Sequence, residues 1–388
     1  MISETTAGED SWNFILEKFR ACTAAHQTCA TYPERKPWYP TRLIDISSSE
    51  HIHLVDRISA HHEHAGYMTL SHRWSEQTPK LTGENITSWS KNIPLDGLTE
   101  TFRDAINIAR RLGSDYLWID SLCIIQDSNE DWEKESSSMG EVYHKCICNI
   151  SATAASDGSE SLFVERDRAS ISQCMIEIGW RNKRRSYSFA RSDIWDLGVI
   201  NSSLNRRGWV IQERLLSPRT ISFGTQIFWE CHELEACETW PDGLPGNLSS
   251  KGEWSDVWNF NVLGPKSWLQ IISNLSQSSD DSYRIWKTIV RSYTNSGLTK
   301  EEDRLVALSG VAQQMQMHLK DQYVAGLWRR DIFTQLIWYS AQLGWVRRPN
   351  HYRGELSEKC SSATSPTNAV QLQVGPGLLS KAELLSHG

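Results

Sequence analysis

No run of about 18 apolar residues, the length a membrane-spanning helix needs, occurs in the 388-residue chain. Positive charge is not in excess either. Lys and Arg number 40 against 47 Asp and Glu, a net charge of −7, which gives no support to nucleic-acid binding through a basic face. Met1 to Asp10 are acidic with no apolar core, so a secretory leader is not expected and a cytoplasmic location is. The chain also lacks a Gly-x-Gly-x-x-Gly fingerprint, a phosphate-cradling Gly-Lys-Ser/Thr loop and a Gly-x-Ser-x-Gly elbow. Those absences remove the usual dehydrogenase, P-loop and serine-hydrolase sites. There is no internal repeat. Cysteines number nine, an odd count scattered over a long chain, which favours reduced thiols over a disulfide framework.

Tryptophan, by contrast, is plentiful at 18. Each buries roughly 150–250 Å² when packed, so most should fill cores. The length suggests two or three domains. Residues 10–30 carry Trp12, Ile15, Leu16 and Phe19 at helical spacing. Arg42–Ile46 and Tyr67–Ser71 read as strands, and residues 75–98 as mainly loop. Phe102, Ala105, Ile106, Ala109 and Leu112 mark a helix that Gly113 should end as its C′ residue. Strands at 116–120 and 146–151 enclose a helix from about 131. This strand–helix rhythm predicts a parallel sheet with crossover helices. A hairpin around Cys174–Ala190, a helix at 207–216 and strands at 219–223 and 226–231 follow. Residues 254–345 read as mostly helical.

The most informative stretch is Tyr116–Glu135. An apolar run stops at an acid, a polar turn follows, and a helix begins. In an open α/β sheet ligands collect where such strands end, which singles out Asp120, Ser121 and Gln126. On the following helix Trp132, Glu135, Met139, Tyr143 and Cys146 share one stripe, while Glu133, Lys134 and Glu141 point elsewhere. A carboxylate on a core-facing stripe is either held by a partner or put to use. The helix at 207–216 repeats the pattern, with Trp209, Gln212, Glu213 and Leu216 at i, i+3, i+4 and i+7. Arg206, Arg207 and Arg214 are near enough in sequence to neutralise Glu213, so a salt bridge is the favoured reading there.

Metal sites are weakly indicated. His51, His53, His61, His62, His64 and His72 cluster in a loop-like stretch with no standard ligand spacing. Cys22, His26 and Cys29 form Cys-x3-His-x2-Cys on the first helix, three groups without an obvious fourth. A helix face of small buried thiols is the favoured reading, and no metal is expected. Cys123 reads as a packed thiol.

At these residues the chain resembles fungal heterokaryon incompatibility (HET) domain proteins. The matching blocks are Tyr67-Met-Thr-Leu-Ser-His-Arg-Trp74, Thr101–Ile106, Leu112–Asp127, Asp131-Trp-Glu-Lys-Glu135 with Met139 and Tyr143, and Arg206–Ser217. The resemblance implies a role in non-self recognition and programmed cell death. HET domains have been likened to Toll/interleukin-1 receptor (TIR) domains, so it also implies a flavodoxin/TIR-like parallel-sheet core with helical additions at both ends. The corresponding division is an N-terminal helical extension over 1–60, a HET domain over 61–240, a helical region over 241–347 and a disordered tail over 348–388.

Some TIR domains cleave NAD at the nicotinamide–ribose bond with a glutamate three residues after a Trp. That pattern falls on Trp132-Glu-Lys-Glu135, which makes Glu135 the expected catalytic residue and NAD a substrate rather than a cofactor. Ser71, Trp74, Asp120, Ser121, Gln126, Trp132, Trp209, Gln212 and Glu213 form the expected binding set. Partners would be a second copy of the chain or an incompatibility protein. Two other readings stay open: a non-catalytic module that signals by oligomerising, and a biosynthetic enzyme that reuses the scaffold.

Overall fold

The computed structural model describes residues 3–31, 38–56, 66–155, 157–180, 183–245 and 279–336. His61, His62 and His64, the first part of the expected helical region (246–278) and the tail expected over 348–388 lie outside them. Among the described residues no helix is long and apolar enough to cross a membrane. By compactness the chain divides into Met1–Lys320 and Asp321–Gly388.

An eight-stranded mixed sheet organises the first unit. Its strands are β1 (Arg42–Asp45), β2 (His53–Asp56), β3 (Met68–Ser71), β4 (Tyr116–Trp118), β5 (Asn149–Ser151), β8 (Arg219–Phe223), β9 (Ile227–Cys231) and β10 (Glu235–Cys237). A separate hairpin pairs β6 (Cys174–Trp180) with β7 (Lys183–Phe189). The sheet order is β10-β9-β8-β5-β3-β4-β1-β2. β8, β5, β3 and β4 are mutually parallel, as the strand–helix rhythm predicts. The flanking strands depart from it, since β1, β2, β9 and β10 all pair antiparallel. Tight connections explain the departure: β8 reaches β9 across Gly224, too short a link for a parallel crossover.

Read in chain order, the parallel block runs 2-1-3-4, an order found in doubly wound sheets. The direction in which successive strands are added reverses between β3 and β5. A crevice is expected at the carboxyl ends of those two strands.

The helices that cover the block form for local reasons. α3 (Glu100–Arg111) starts at Thr99, whose hydroxyl accepts from the Phe102 amide, and buries Phe102, Ala105, Ile106 and Ala109. Gly113 ends it at φ 81°, the left-handed conformation that a side chain disfavours. After β4, a single helical turn, α4 (Asp120–Cys123), leads to α5 (Asn129–Lys145), capped by Ser128. α6 (Gly208–Leu216) precedes β8. Trp132 meets Trp209, and Gly140 approaches Leu216. Because these contacts occur in the same order on both helices, α5 and α6 run side by side in one direction. Their amino-terminal turns therefore lie together, with Trp132 and Trp209 at that end.

One face of the parallel block is polar. Register aligns Thr69 with Asn149 and Thr220, and Ser71 with Ser151 and Ser222. All six are buried. Leu70, Ile150 and Ile221 take the opposite face. A sheet covered on both sides ordinarily reads as continuous apolar strands, so this seam needs hydrogen-bonding partners from the helices above it.

Where the sequence suggests one helix over 10–30, the chain forms α1 (Glu9–Ala25) and α2 (Gln27–Thr31), broken at His26 with φ −77° and ψ 108°. α1 packs on β9, with Phe19 edge-on to Trp229. Towards the end of the first unit are α7 (Ser279–Thr294) and α8 (Ser309–Leu319). In the second unit the described residues include a short hairpin, Tyr323–Val324 against Leu327–Trp328.

Candidate functional site

The polar seam meets α5 and α6 in a buried hydrogen-bonded cluster. Asn149 accepts from the Thr69 hydroxyl at 2.9 Å, and its amide donates to the Ser71 hydroxyl at 2.9 Å. Tyr143 of α5 donates to Glu213 of α6 at 3.0 Å. Ser71, Tyr143, Asn149 and Glu213 are all buried. Beside them stands Asp120, the first residue of α4 just past β4 and about a quarter exposed on its side chain. It accepts from the Trp74 indole at 2.8 Å and from the Ser121 amide at 2.7 Å. Arg207 donates to the carbonyl oxygen of His72 at 2.5 Å.

Burial governs the electrostatics here. It pushes the Glu213 carboxyl up to about 7, against hydrogen bonds from Ser71 and Tyr143 that favour the ionised form; the charge of Asp120 adds to the rise and Arg207 opposes it. Glu213 is therefore poised between acid and base near neutrality. The Tyr143 phenol is held well above its ordinary value by burial and by Glu213, which keeps it a donor. His72, buried edge-on against Phe102 at 4.8 Å, is pushed down by desolvation although Asp120 acts the other way. A neutral imidazole, an uncharged phenol and a carboxyl near neutrality beside a partly exposed carboxylate form an arrangement able to give and take protons.

Glu135 faces inward at 2% exposure. Its Oε1 is buried and accepts no hydrogen bond, and Lys134 Nζ stands 3.7 Å away on a largely exposed side chain. Capping of α5 falls to Ser128 rather than to this carboxylate. Trp132 and Trp209 pack edge-to-face at 6.5 Å, both partly exposed. The Trp209 indole donates to Asp303 at 3.0 Å, and Lys300 lies over Trp132 at 5.9 Å. Gln212 is fully buried with neither amide atom bonded, and Ser121 Oγ and His72 Nε2 are likewise unbonded.

The fold thus joins Ser71, Trp74, Asp120 and Glu213 in one electrostatically coupled cluster and pairs Trp132 with Trp209. Gln126 belongs to the turn, its amide donating to the carbonyl oxygens of Asp120 and Ile124. The salt bridge suggested for Glu213 does not form. Arg214 pairs with Glu230 instead, Nη2 to Oε1 at 2.6 Å, because the side chain one position past Glu213 turns toward β9. Thr69 and Asn149 belong to the cluster although the sequence reading gives them no role, Tyr143 enters it from the inward stripe of α5, and Arg207, one of the arginines considered for Glu213, joins it through the His72 carbonyl oxygen. The alternation of polar residues along Met68–Ser71, Asn149–Ser151 and Arg219–Phe223 is the signal for Thr69 and Asn149. Cys123 is a packed thiol, pushed up to about 12 by burial.

An open surface cleft of about 660 Å³, lined by Glu4, Glu165, Arg166 and Arg168 among others, includes none of these residues. A separate group of possible metal ligands, Cys22, His26, Cys29 and Cys231, lies where α1 and α2 meet β9.

The β3 and β5 part of the seam, Asp120, Trp132, Glu135 and Glu213 all fall within the stretch that matches a family model, heterokaryon incompatibility protein (HET), over residues 67–213. Residues 67–213 are a HET domain. The match begins at the residue before β3 and ends at Glu213, so it takes in β3 to β7, α3 to α5 and most of α6. The HET domain ties the chain to heterokaryon incompatibility and the cell death that accompanies it. No curated protein and no solved structure matches the chain.

Proposed function

We propose that the HET domain acts in incompatibility-linked cell death by cleaving NAD between nicotinamide and ribose, with Glu135 as the catalytic carboxylate. One observation carries this reading. Glu135, Ser121 and Gln212, each marked from sequence as a site residue, hold buried polar atoms without hydrogen-bond partners. Such atoms cost roughly 1–3 kcal/mol each, and a ligand that bonds them recovers that cost. The likeness of Trp132-Glu-Lys-Glu135 to the TIR pattern points the same way.

The chemistry suits a carboxylate. As the N-glycosidic bond breaks, its electron pair goes to the cationic ring nitrogen and neutral nicotinamide leaves. Positive charge develops on the ribose, and an ionised Glu135 stabilises it. Water then adds at the anomeric carbon, giving ADP-ribose and a proton. Ser71, Trp74, Asp120 and Ser121 would line the crevice at the strand ends, and Gln126, Trp132, Trp209, Gln212 and Glu213 would complete it. The test is nicotinamide release by the purified full chain and by Glu135→Gln across a range of protein concentrations. The expectation is turnover by the wild type and at least a hundredfold loss in the folded variant, the scale of removing one transition-state contact. Equal rates, or none from either, would overturn the proposal.

A second reading, signalling through partners, draws on the β6–β7 hairpin. Register places Ile176 beside Tyr187 and Cys174 beside Phe189 on one face. Ile176, Ile178, Tyr187 and Phe189 are all 41–49% exposed. Exposed apolar faces of this kind mark protein-binding surfaces. Assembly that persists in Glu135→Gln and is lost in Ile176→Lys would support it.

A further inference from the structure

We propose that Cys22, His26, Cys29 and Cys231 bind a structural zinc ion that fastens α1 and α2 to β9. Three of the four groups come from Cys-x3-His-x2-Cys, and the fourth lies 205 positions beyond His26. The helix break at His26 is what lets them converge. Cys22 sits on α1, Cys29 on α2, and the extended backbone of His26 turns its ring between them.

The geometry is that of a four-coordinate site. The four ligand atoms all lie within 4.8 Å of one another. His26 Nδ1 is 3.3 Å from Cys231 Sγ and 3.9 Å from Cys29 Sγ, so Nδ1 is the ligating nitrogen. Bond lengths of about 2.3 Å for sulfur and about 2.0 Å for nitrogen put tetrahedral ligands roughly 3.5–3.8 Å apart. The three sulfurs are buried, and His26 is only partly exposed. No position is left open to substrate, which marks the site as structural rather than catalytic.

The surroundings supply what such a centre needs. Arg219 is buried and donates from Nε to Cys22 Sγ at 3.1 Å, while its Nη1 and Nη2 reach the carbonyl oxygens of Ile147 and Cys29. Among the described residues no carboxylate pairs with it. Three thiolates and a zinc dication leave one negative charge, which the guanidinium balances. The Leu234 amide donates to Cys231 Sγ at 3.3 Å, a contact that orients a ligating sulfur. Glu233 accepts from the Thr28 amide at 2.6 Å and holds α2 to the same turn.

The test uses the full chain purified under reducing conditions. Elemental analysis should find one equivalent of zinc per chain. Replacing zinc with cobalt should give the intense d–d bands of a tetrahedral ion and a thiolate-to-cobalt charge-transfer band. Cys231→Ser should lose the metal, whereas Cys174→Ser, on the exposed hairpin, should keep it. The cobalt spectrum needs no substitution, so a variant that fails to fold leaves the test intact. Wild-type protein that takes up neither zinc nor cobalt, or that holds a disulfide between these cysteines under reducing conditions, would overturn the proposal.

Discussion

Tyr143 donates its phenolic proton to Glu213 across 3.0 Å, and both side chains are buried. The bond joins α5 to α6 above the polar face of the sheet. It also explains why a carboxyl group survives there without a salt bridge, since Tyr143 bonds it while burial keeps it near half-protonated at neutral pH.

Glu213 should make stability depend on pH in a defined direction. Its folded-state value, about 7, lies above the ordinary 4.5, so folding favours the protonated form. That contribution is complete below about pH 4.5 and is lost as pH rises through 7. A shift of this size corresponds to roughly 3 kcal/mol. Glu213→Gln keeps the shape and stays neutral. Thermal melts should show a flatter Tm profile between pH 4.5 and 7, and a higher Tm than the wild type at about pH 8. A variant whose Tm tracks the wild type at every pH would contradict this account.

His144 should act in the opposite sense. Burial, with help from Lys145 and His232, lowers it from 6.5 to about 3. Folding therefore favours the neutral ring. Its contribution is present above 6.5 and fades as pH falls toward 3. His144→Gln should soften the acid limb of the stability curve and leave the limb above pH 6.5 unchanged, as read by urea unfolding at several pH values.

Much of this was legible in the sequence, and the rest depended on contacts that periodicity cannot show. α3, its Gly113 stop, β3 and β4 followed from the sequence pattern, although β4 ends at Trp118 where the apolar run suggests 120, because Asp120 opens a helical turn. β2 did not, because a four-residue strand with His53 and Asp56 at its ends carries little apolar signal. The stripe argument placed Glu135 and Tyr143 inward. It took Tyr143 as apolar packing, although a phenol can span the gap between helices to reach a carboxylate. The fourth group beside Cys22, His26 and Cys29 is not legible in the sequence, because only the packing of α1 on β9 brings Cys231 to His26.

The α5–α8 crossing should be intolerant of any side chain. A Cβ built on Gly140 falls 2.6 Å from the Gly310 Cα, and one on Gly310 falls 2.6 Å from the Gly140 Cα. Backbone cannot give way as a flexible side chain does. Gly140→Ala and Gly310→Ala should each cost about 1–3 kcal/mol. Gly97→Ala, whose nearest neighbour is Pro94 at 3.6 Å, should cost much less. Chemical denaturation would rank the three, and an innocuous Gly310→Ala would contradict the packing.

Glu238 binds the amino-terminal segment to the sheet. It pairs with Arg166 through both guanidinium nitrogens, accepts from the Ser11 hydroxyl at 2.7 Å and takes the Ile227 amide at 2.7 Å. Removing one member of a buried pair strands the other, at about 3–5 kcal/mol. Glu238→Gln should be destabilised on that scale. Arg166→Met combined with Glu238→Gln should lose less than the sum of the two single changes, which denaturant titration of all four proteins would measure.

The central claim is that Glu135 does chemistry on NAD in the course of cell death. The most direct measurement expresses the wild type and Glu135→Gln in fungal cells and follows intracellular NAD together with viability. The account predicts that NAD falls before viability in cells with the wild type, and that Glu135→Gln, present at equal abundance, spares both. Death that proceeds with NAD intact, or that Glu135→Gln causes equally well, would contradict it.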